Sequence, residues 1–305
     1  MNRVRQAGFS VYGLGQCSLD YLVEVDAYPP ADAKCEFREM LVQGGGPVAT
    51  ALVALSRWGV STTFSGVIGD DDFGIRIRES LEIEGVDLSG LVVRGGATSQ
   101  FAFIAAEPGR GTRTVFWRRP TGEPLAPREI DVGRLRRATL LYTDGLMIGA
   151  ALEAARLAAR SGVRVFVDAG TLRPGMLELA RYSDTFLASE RFARQLVGHE
   201  DPLLACRELT ALGPRLVGVT LGERGYVAYE NGEAIKRAAH RVEAIDTTGC
   251  GDVFHAGVAL GLIKGWETRR GLDFAAWAAS RVAMRLGGRS GIPRQDEYGA
   301  VDGSG

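Results

Sequence analysis

With 305 residues, 46% of them hydrophobic and 24% charged, the chain can bury a sizeable core. Its 36 basic and 37 acidic residues leave a formal net charge of -1, so it lacks the basic excess of a nucleic-acid binder, and no run of about twenty apolar residues offers a membrane span. Cys17, Cys35, Cys206 and Cys250 show no CxxC spacing and, with three histidines, no zinc-ligand set; a cytoplasmic chain without a signal-type leader is expected.

Residues 10–15 read as a buried first strand in which Gly13 and Gly15 permit close backbone approach. Asp20 follows as either a turn residue or a ligand contact past a central strand end. Residues 21–25 and 35–42, separated by Pro29-Pro30, read as short strands of a small sheet standing off the main one. Gly13-Leu14-Gly15 lacks the third glycine of a dinucleotide fingerprint and leads into a strand, which argues against NAD.

Gly44-Gly45-Gly46-Pro47 opens a helix, with Pro47 at its first position and Val48, Leu52 and Leu55 as its apolar stripe. A strand is expected at 62–68, then Asp70-Asp71-Asp72 as cap and turn, then a helix to about Glu84. Residues 98–106 and 112–117 form a hairpin around Gly109 and Gly111. Together with the earlier strands they make a four-stranded lid, from about 20–42 and 98–118, on a single domain spanning 1–305. Arg118 and Arg119 at its end are candidate contacts for an anionic group.

From Leu135 strands and helices alternate with short connections, and Asp144 and Asp168 fall at strand ends, where ligand sites in such sheets collect. The fold class is α/β: a Rossmann-like three-layer sandwich with a largely parallel central sheet and a small β-sheet lid. Thr220-Leu221-Gly222-Glu223-Arg224-Gly225 closes one strand with two glycines, which suits either a tight turn or a nucleotide lying on backbone amides. Residues 242–245 deliver the chain to Asp246-Thr247-Thr248-Gly249-Cys250-Gly251-Asp252 at a helix start. Unpaired amides there make an anion seat, and Asp252 can take a proton from a hydroxyl held beside it; an ordinary helix cap is the competing reading. The only lysines are Lys34, Lys236 and Lys264, so a phosphate clamp falls to arginine, amides or metal.

The order of these signals resembles the ribokinase-like, PfkB-type carbohydrate kinases across nearly the whole chain. The segments that carry the likeness are 44–58, 66–74, 220–225 and above all 246–252; the finer spelling at 44–47, 252–255 and 287–293 is most similar to the sulfofructose kinase and ketohexokinase side. The resemblance implies Asp252 as general base and Gly249, Cys250 and Gly251 as amides facing the transferring phosphoryl group. It implies Asp20, Gly44 and Gly45 at the sugar, Thr220, Gly222 and Gly225 at ATP with Mg2+, and Asp246 and Thr248 at a monovalent cation such as K+. The expected partners are a small-molecule sugar, a ketose or relative first, and a second copy of the chain through the lid. Phosphorylated and sulfonated sugars stay open, and the alternatives are a nucleoside kinase of the same fold or a catalytically weak sugar-binding relative. Three departures from the family pattern stand out. Ala49 stands where an asparagine meets the sugar. Ser189 and Phe192 stand at an asparagine–glutamate pair that organises magnesium, with Glu190 as a partial substitute. Cys250 replaces an alanine, and its thiol at a helix N-terminus is expected to ionise readily.

Overall fold

The computed structural model describes residues 10–108 and 111–299; Gly109 and the tail 301–305 lie outside them. In chain order β1 (Ser10–Leu14), β2 (Ser18–Glu24) and β3 (Met40–Gly45) precede helix α1 (Pro47–Arg57). Next come β4 (Ser61–Gly69), α2 (Asp72–Glu82), β5 (Asp87–Arg94), β6 (Phe101–Glu107) and β7 (Thr112–Arg118). The alternating stretch follows: α3 (Val132–Arg137), β8 (Leu140–Thr143), α4 (Ile148–Arg160), β9 (Arg164–Ala169), α5 (Met176–Ala180), β10 (Thr185–Ser189), α6 (Glu190–Val197), α7 (Pro202–Thr210) and β11 (Leu216–Thr220). The described chain closes with β12 (Tyr226–Glu230), β13 (Glu233–Arg237), α8 (Cys250–Lys264), α9 (Thr268–Ala283) and the short α10 (Asp296–Gly299).

The nine-stranded sheet runs β13-β12-β11-β10-β9-β8-β1-β4-β5 and is parallel from β11 to β5, with β12 and β13 antiparallel at one edge. Parallel strands covered on both faces must be apolar on both. Two separate clusters of buried side chains supply that cover: Leu52, Leu55, Val253, Leu260 and Phe274 from α1, α8 and α9 on one face, and Leu135, Ala154, Leu179, Phe192 and Leu209 from α3 to α7 on the other. These are the expected three layers. Helix α8 has no polar side from Val253 to Gly261, as a helix enclosed by neighbours should. A Cβ on Gly257 would lie 2.7 Å from Ala275 Cα, so glycine there sets how closely α8 and α9 pack.

The lid is a four-stranded sheet, β3-β2-β6-β7, with β2 and β6 parallel at its centre. Its strands differ from the sequence expectation in one useful way. The strand expected at 35–42 begins only at Met40 and runs on to Gly45, and the one expected at 21–25 begins at Ser18, so Asp20, Gly44 and Gly45 lie inside paired strands rather than in turns. Strands β5 and β13 had no sequence signal strong enough to name; in β13 only Ile235 is buried. Before α8 the amides of Ile245 and Asp246 share the carbonyl of Ala283, at 2.8 and 3.2 Å, which anchors the segment to the end of α9.

Candidate active site

The segment before α8 is shaped by two constraints. Gly249 caps the helix at φ 74°, and a Cβ on it would lie 2.5 Å from Gly288 Cα, so neither the backbone conformation nor the space admits a side chain. Asp246, fully buried, ties the two loops together: one oxygen accepts from Thr248 N at 2.8 Å and Thr248 Oγ1 at 2.7 Å, the other from Gly287 N at 2.9 Å. Among the described residues the amides of Gly249, Gly251 and Asp252 have no backbone acceptor, and the space beside Gly251 is open. These are the free donors that make a helix start an anion seat.

Asp252 stands in the first turn of α8, half-buried. Burial raises its pKa to about 7, with Asp168 and Asp20 adding to the rise and His255 and Arg113 opposing it. A helix N-terminus favours an ionised acid, but here withdrawal from water outweighs the dipole. Such a carboxyl is poised to accept a proton near neutrality. Cys250 overturns its expectation outright. Burial pushes its thiol up to about 12 despite the nearby Arg113, so it contributes a backbone position and not a reactive thiolate.

On the acceptor side Asp20 is 9% exposed and receives Ser18 Oγ at 2.7 Å. Burial raises its pKa, while Ser18 and the guanidinium of Arg289 pull it down. A side chain on Gly45 would collide with the Asp20 carboxylate, and one on Gly44 with Ser80 Oγ and Arg289 Nη1. Arg289 is 2% exposed, and burial brings its guanidinium down to about 10. Ala49 is fully buried in α1.

Strand register separates the lid arginines. Asp20 lies beside Ala102 and Ala102 beside Trp117, so the alternation of a strand puts Trp117, Val115 and Arg113 on the Asp20 face and Arg118 on the other. Arg113 Nη1 donates to Thr247 Oγ1, next to the glycine loop. Among the described residues no hydrogen bond or ion pair ties Arg118 to the site. Arg113 is therefore the lid cation that the sequence reading missed. Only the register could have chosen it, because every arginine on β7 looks alike in sequence. Arg119 stacks over the Trp117 ring at 5.0 Å.

On the opposite side, Thr220 ends β11, Gly222 at φ 59° faces open space, and Gly225 at φ 91° is pressed against the Arg237 carbonyl. These positions lie together at the carboxyl end of a parallel strand, as a nucleotide site requires. The magnesium-organising positions are occupied otherwise. Ser189 Oγ caps α6 and donates to Gly170 O at 2.7 Å, Phe192 is core, and Glu190 is held by Arg194 at 3.0 Å and Arg224 at 2.5 Å. Both arginines contact Oε1 of Glu190, and among the described residues no group of three or more His, Cys, Asp or Glu could hold a metal. Asp246, a buried carboxylate with no cationic partner among the described residues, has the donor character to suit a monovalent cation. A surface hollow of about 490 Å3, lined by Tyr21, Phe73 and Arg76 among others, lies elsewhere, since Tyr21 and Asp20 point to opposite sides of β2.

Residues 11–295 match the family model described as pfkB family carbohydrate kinase. The chain belongs to that family. It is an ATP-dependent kinase. Among curated proteins it is 29% identical to an ATP-dependent ribose-1-phosphate kinase of Halopiger xanaduensis, over 95% of this chain and 97% of that one. It is 28% identical to a 2-dehydro-3-deoxygluconokinase of Thermoproteus tenax, over 83% of each. Among solved structures, the ribokinase of Arabidopsis thaliana complexed with ribose and ATP superposes with a TM-score of 0.83 at 23% identity, covering 97% of this chain and 99% of that one. Within the PfkB frame no described helix is long and apolar enough to cross a membrane.

Proposed function

We propose that this kinase transfers the γ-phosphate of ATP to a hydroxyl of a carbohydrate, with Asp252 taking the hydroxyl proton as the new O–P bond forms. The observation that carries this reading is the carboxyl of Asp252, lifted to about 7, in the same helix turn as the open amides of Gly249 and Gly251. Those amides meet negative charge as it shifts in the transition state, and their fixed orientation spares reorganisation, while the amide of Cys250 donates to Thr247 O at 3.4 Å. ATP lies along Thr220, Gly222 and Gly225, bringing Mg2+ with its phosphates, and a monovalent cation such as K+ sits against Asp246 and Thr248. Asp20 and the strand carrying Gly44 and Gly45 hold the acceptor; with Ala49 in place of an amide side chain, hydroxyl recognition falls to them.

A ketose or related sugar is the leading acceptor. An acidic sugar is the second reading, favoured by Arg113, whose guanidinium stands at the loop with no carboxylate partner among the described residues, and by relatives named for ribose-1-phosphate and 2-dehydro-3-deoxygluconate. A nucleoside acceptor is less well supported, because the aromatic cluster Tyr21, Phe73 and Phe101 lies on the lid face away from Asp20. Asp252→Asn tests the mechanism. Turnover should fall by about a thousandfold or more while ATP binding persists, and near-normal kcat would sink the assignment. An ADP-release panel of neutral sugars, sugar phosphates and sugar acids identifies the acceptor.

A further inference from the structure

Beside Asp252 lies a buried polar cluster that the transfer described above does not use. His255 follows Asp252 by three residues on α8, so the helix turns both toward the same side. Its ring is buried, with Nδ1 2.8 Å from Asp168 Oδ1. That separation is ion-pair distance when the ring is protonated. Asp168, on β9, accepts from the hydroxyl of Tyr142 at 2.9 Å through its other oxygen, and the Tyr142 ring is stacked on Phe166 with centroids 4.8 Å apart. The acid is thereby held in place from β8 while its charge faces α8.

The arrangement places two carboxyls, Asp168 and Asp252, in mutual electrostatic reach within a region that solvates neither well. Two such acids do not both ionise unless something compensates them. The groups that bear on Asp252 are Asp168 from β9, His255 from its own helix, Arg113 from β7 and Asp20 from β2. Those that bear on His255 are Asp168 and Asp252, and Tyr142 feels Asp168, Asp252 and Asp144. Burial works against a charged imidazole, but Asp168 and then Asp252 more than offset it, and the His255 pKa is raised. Arg113 is exposed and reaches across from the lid, so its charge is screened by water. His255 is the basic group on the buried side.

We propose that His255 is a positioning residue for the base: paired with an Asp168 that Tyr142 holds in place, it supplies the buried counter-charge that lets Asp252 ionise beside a second acid. This rests on Asp252 being the base. In the intact chain, 15N-histidine NMR should find one of the three histidines protonated on both ring nitrogens at pH 7 and shielded from solvent; a neutral buried ring would overturn the proposal. In the pH profile of kcat/KM, His255→Gln should move the acid limb up by about one pH unit, a roughly tenfold loss below the limb that recovers at alkaline pH. The double variant H255Q/D168N, which also removes the uncompensated acid, should bring the limb back to within about half a unit of the parent. A merely structural role predicts a pH-independent loss that the second substitution deepens, and that result, or an unmoved limb, would overturn the proposal. If H255Q does not fold, the NMR measurement on the unaltered chain decides. If D252N keeps turnover, the proposed function itself fails; if D252N is inactive and the H255Q limb stays still, only the role of His255 fails.

Discussion

At the scale of single residues, Asp252 joins activity to stability with opposite signs. As a base it works ionised, so kcat/KM should climb with pH through about 7. Its folded pKa lies above the usual 3.8 of an exposed aspartate, so between about 4 and 7 the folded chain binds more protons than the unfolded one, and this residue's contribution to stability falls as pH rises across that window. Asp144, also raised to about 7 by burial although the amides of Gln16 and Leu146 pull it down, acts in the same direction. Asp252→Asn should therefore melt at a higher temperature than the parent at pH 8, with the gap closing toward pH 4, as thermal scans in matched buffers would show. A D252N chain less stable than the parent at pH 8 would mean that the carboxylate is better solvated than its surroundings imply.

At the scale of elements, the acceptor side depends on β3 lying against β2 with nothing between them at one position. Gly45 leaves room for the Asp20 carboxylate, and a methyl group there would displace it. Gly45→Ala should raise the acceptor KM by about tenfold or more and leave the ATP KM within about twofold, measured by ADP release at saturating co-substrate. Much of this was legible in sequence: the glycine run, the helix behind it and the acid nearby could all be named. What could not be read was that Asp20 and Gly45 are diagonal neighbours on one face, because that follows from pairing β2 with β3, and register depends on which faces the core claims. The cation proposed at Asp246 also belongs to this scale, since it would brace two loops. Replacing K+ by a bulky organic cation should lower kcat several-fold if the ion is part of the loop, and unchanged kcat in K+-free buffer would remove it from the site.

At the scale of the whole molecule, the lid carries more apolar surface than a solvent-facing sheet requires. Phe103 and Phe116, paired on the lid face away from Asp20, are 40% and 52% exposed, and Tyr28 stacks against Phe116. We propose that a second copy of the chain covers this surface, as the sequence led us to expect. Sedimentation at micromolar concentration should then give a dimer that Phe116→Ser weakens, and a monomer for the unaltered chain would dismiss the lid as an interface. Lid and catalytic loop are also joined within one chain by Arg113 and Thr247, so the acceptor cover and the anion seat belong to one assembly.

Sequence by itself determined the order of layers, the lid as a separate sheet, the glycine-rich helix start and the acid that follows it, because periodicity and backbone-permissive residues are local properties. Tertiary structure decided the rest through burial and register. Burial turned Cys250 from a reactive thiol into an inert one and lifted Asp252 toward neutrality, since desolvation depends on neighbours distant in the chain. Register put Arg113 rather than Arg118 on the Asp20 face, and the meeting of α8 with β9 and β8 gathered His255, Asp168 and Tyr142 around the base. The glycine loop could be found by reading; of the charges that bear on its aspartate only His255 is local, while Asp168, Arg113 and Asp20 come from strands more than eighty residues away in sequence, and only the fold brings them there.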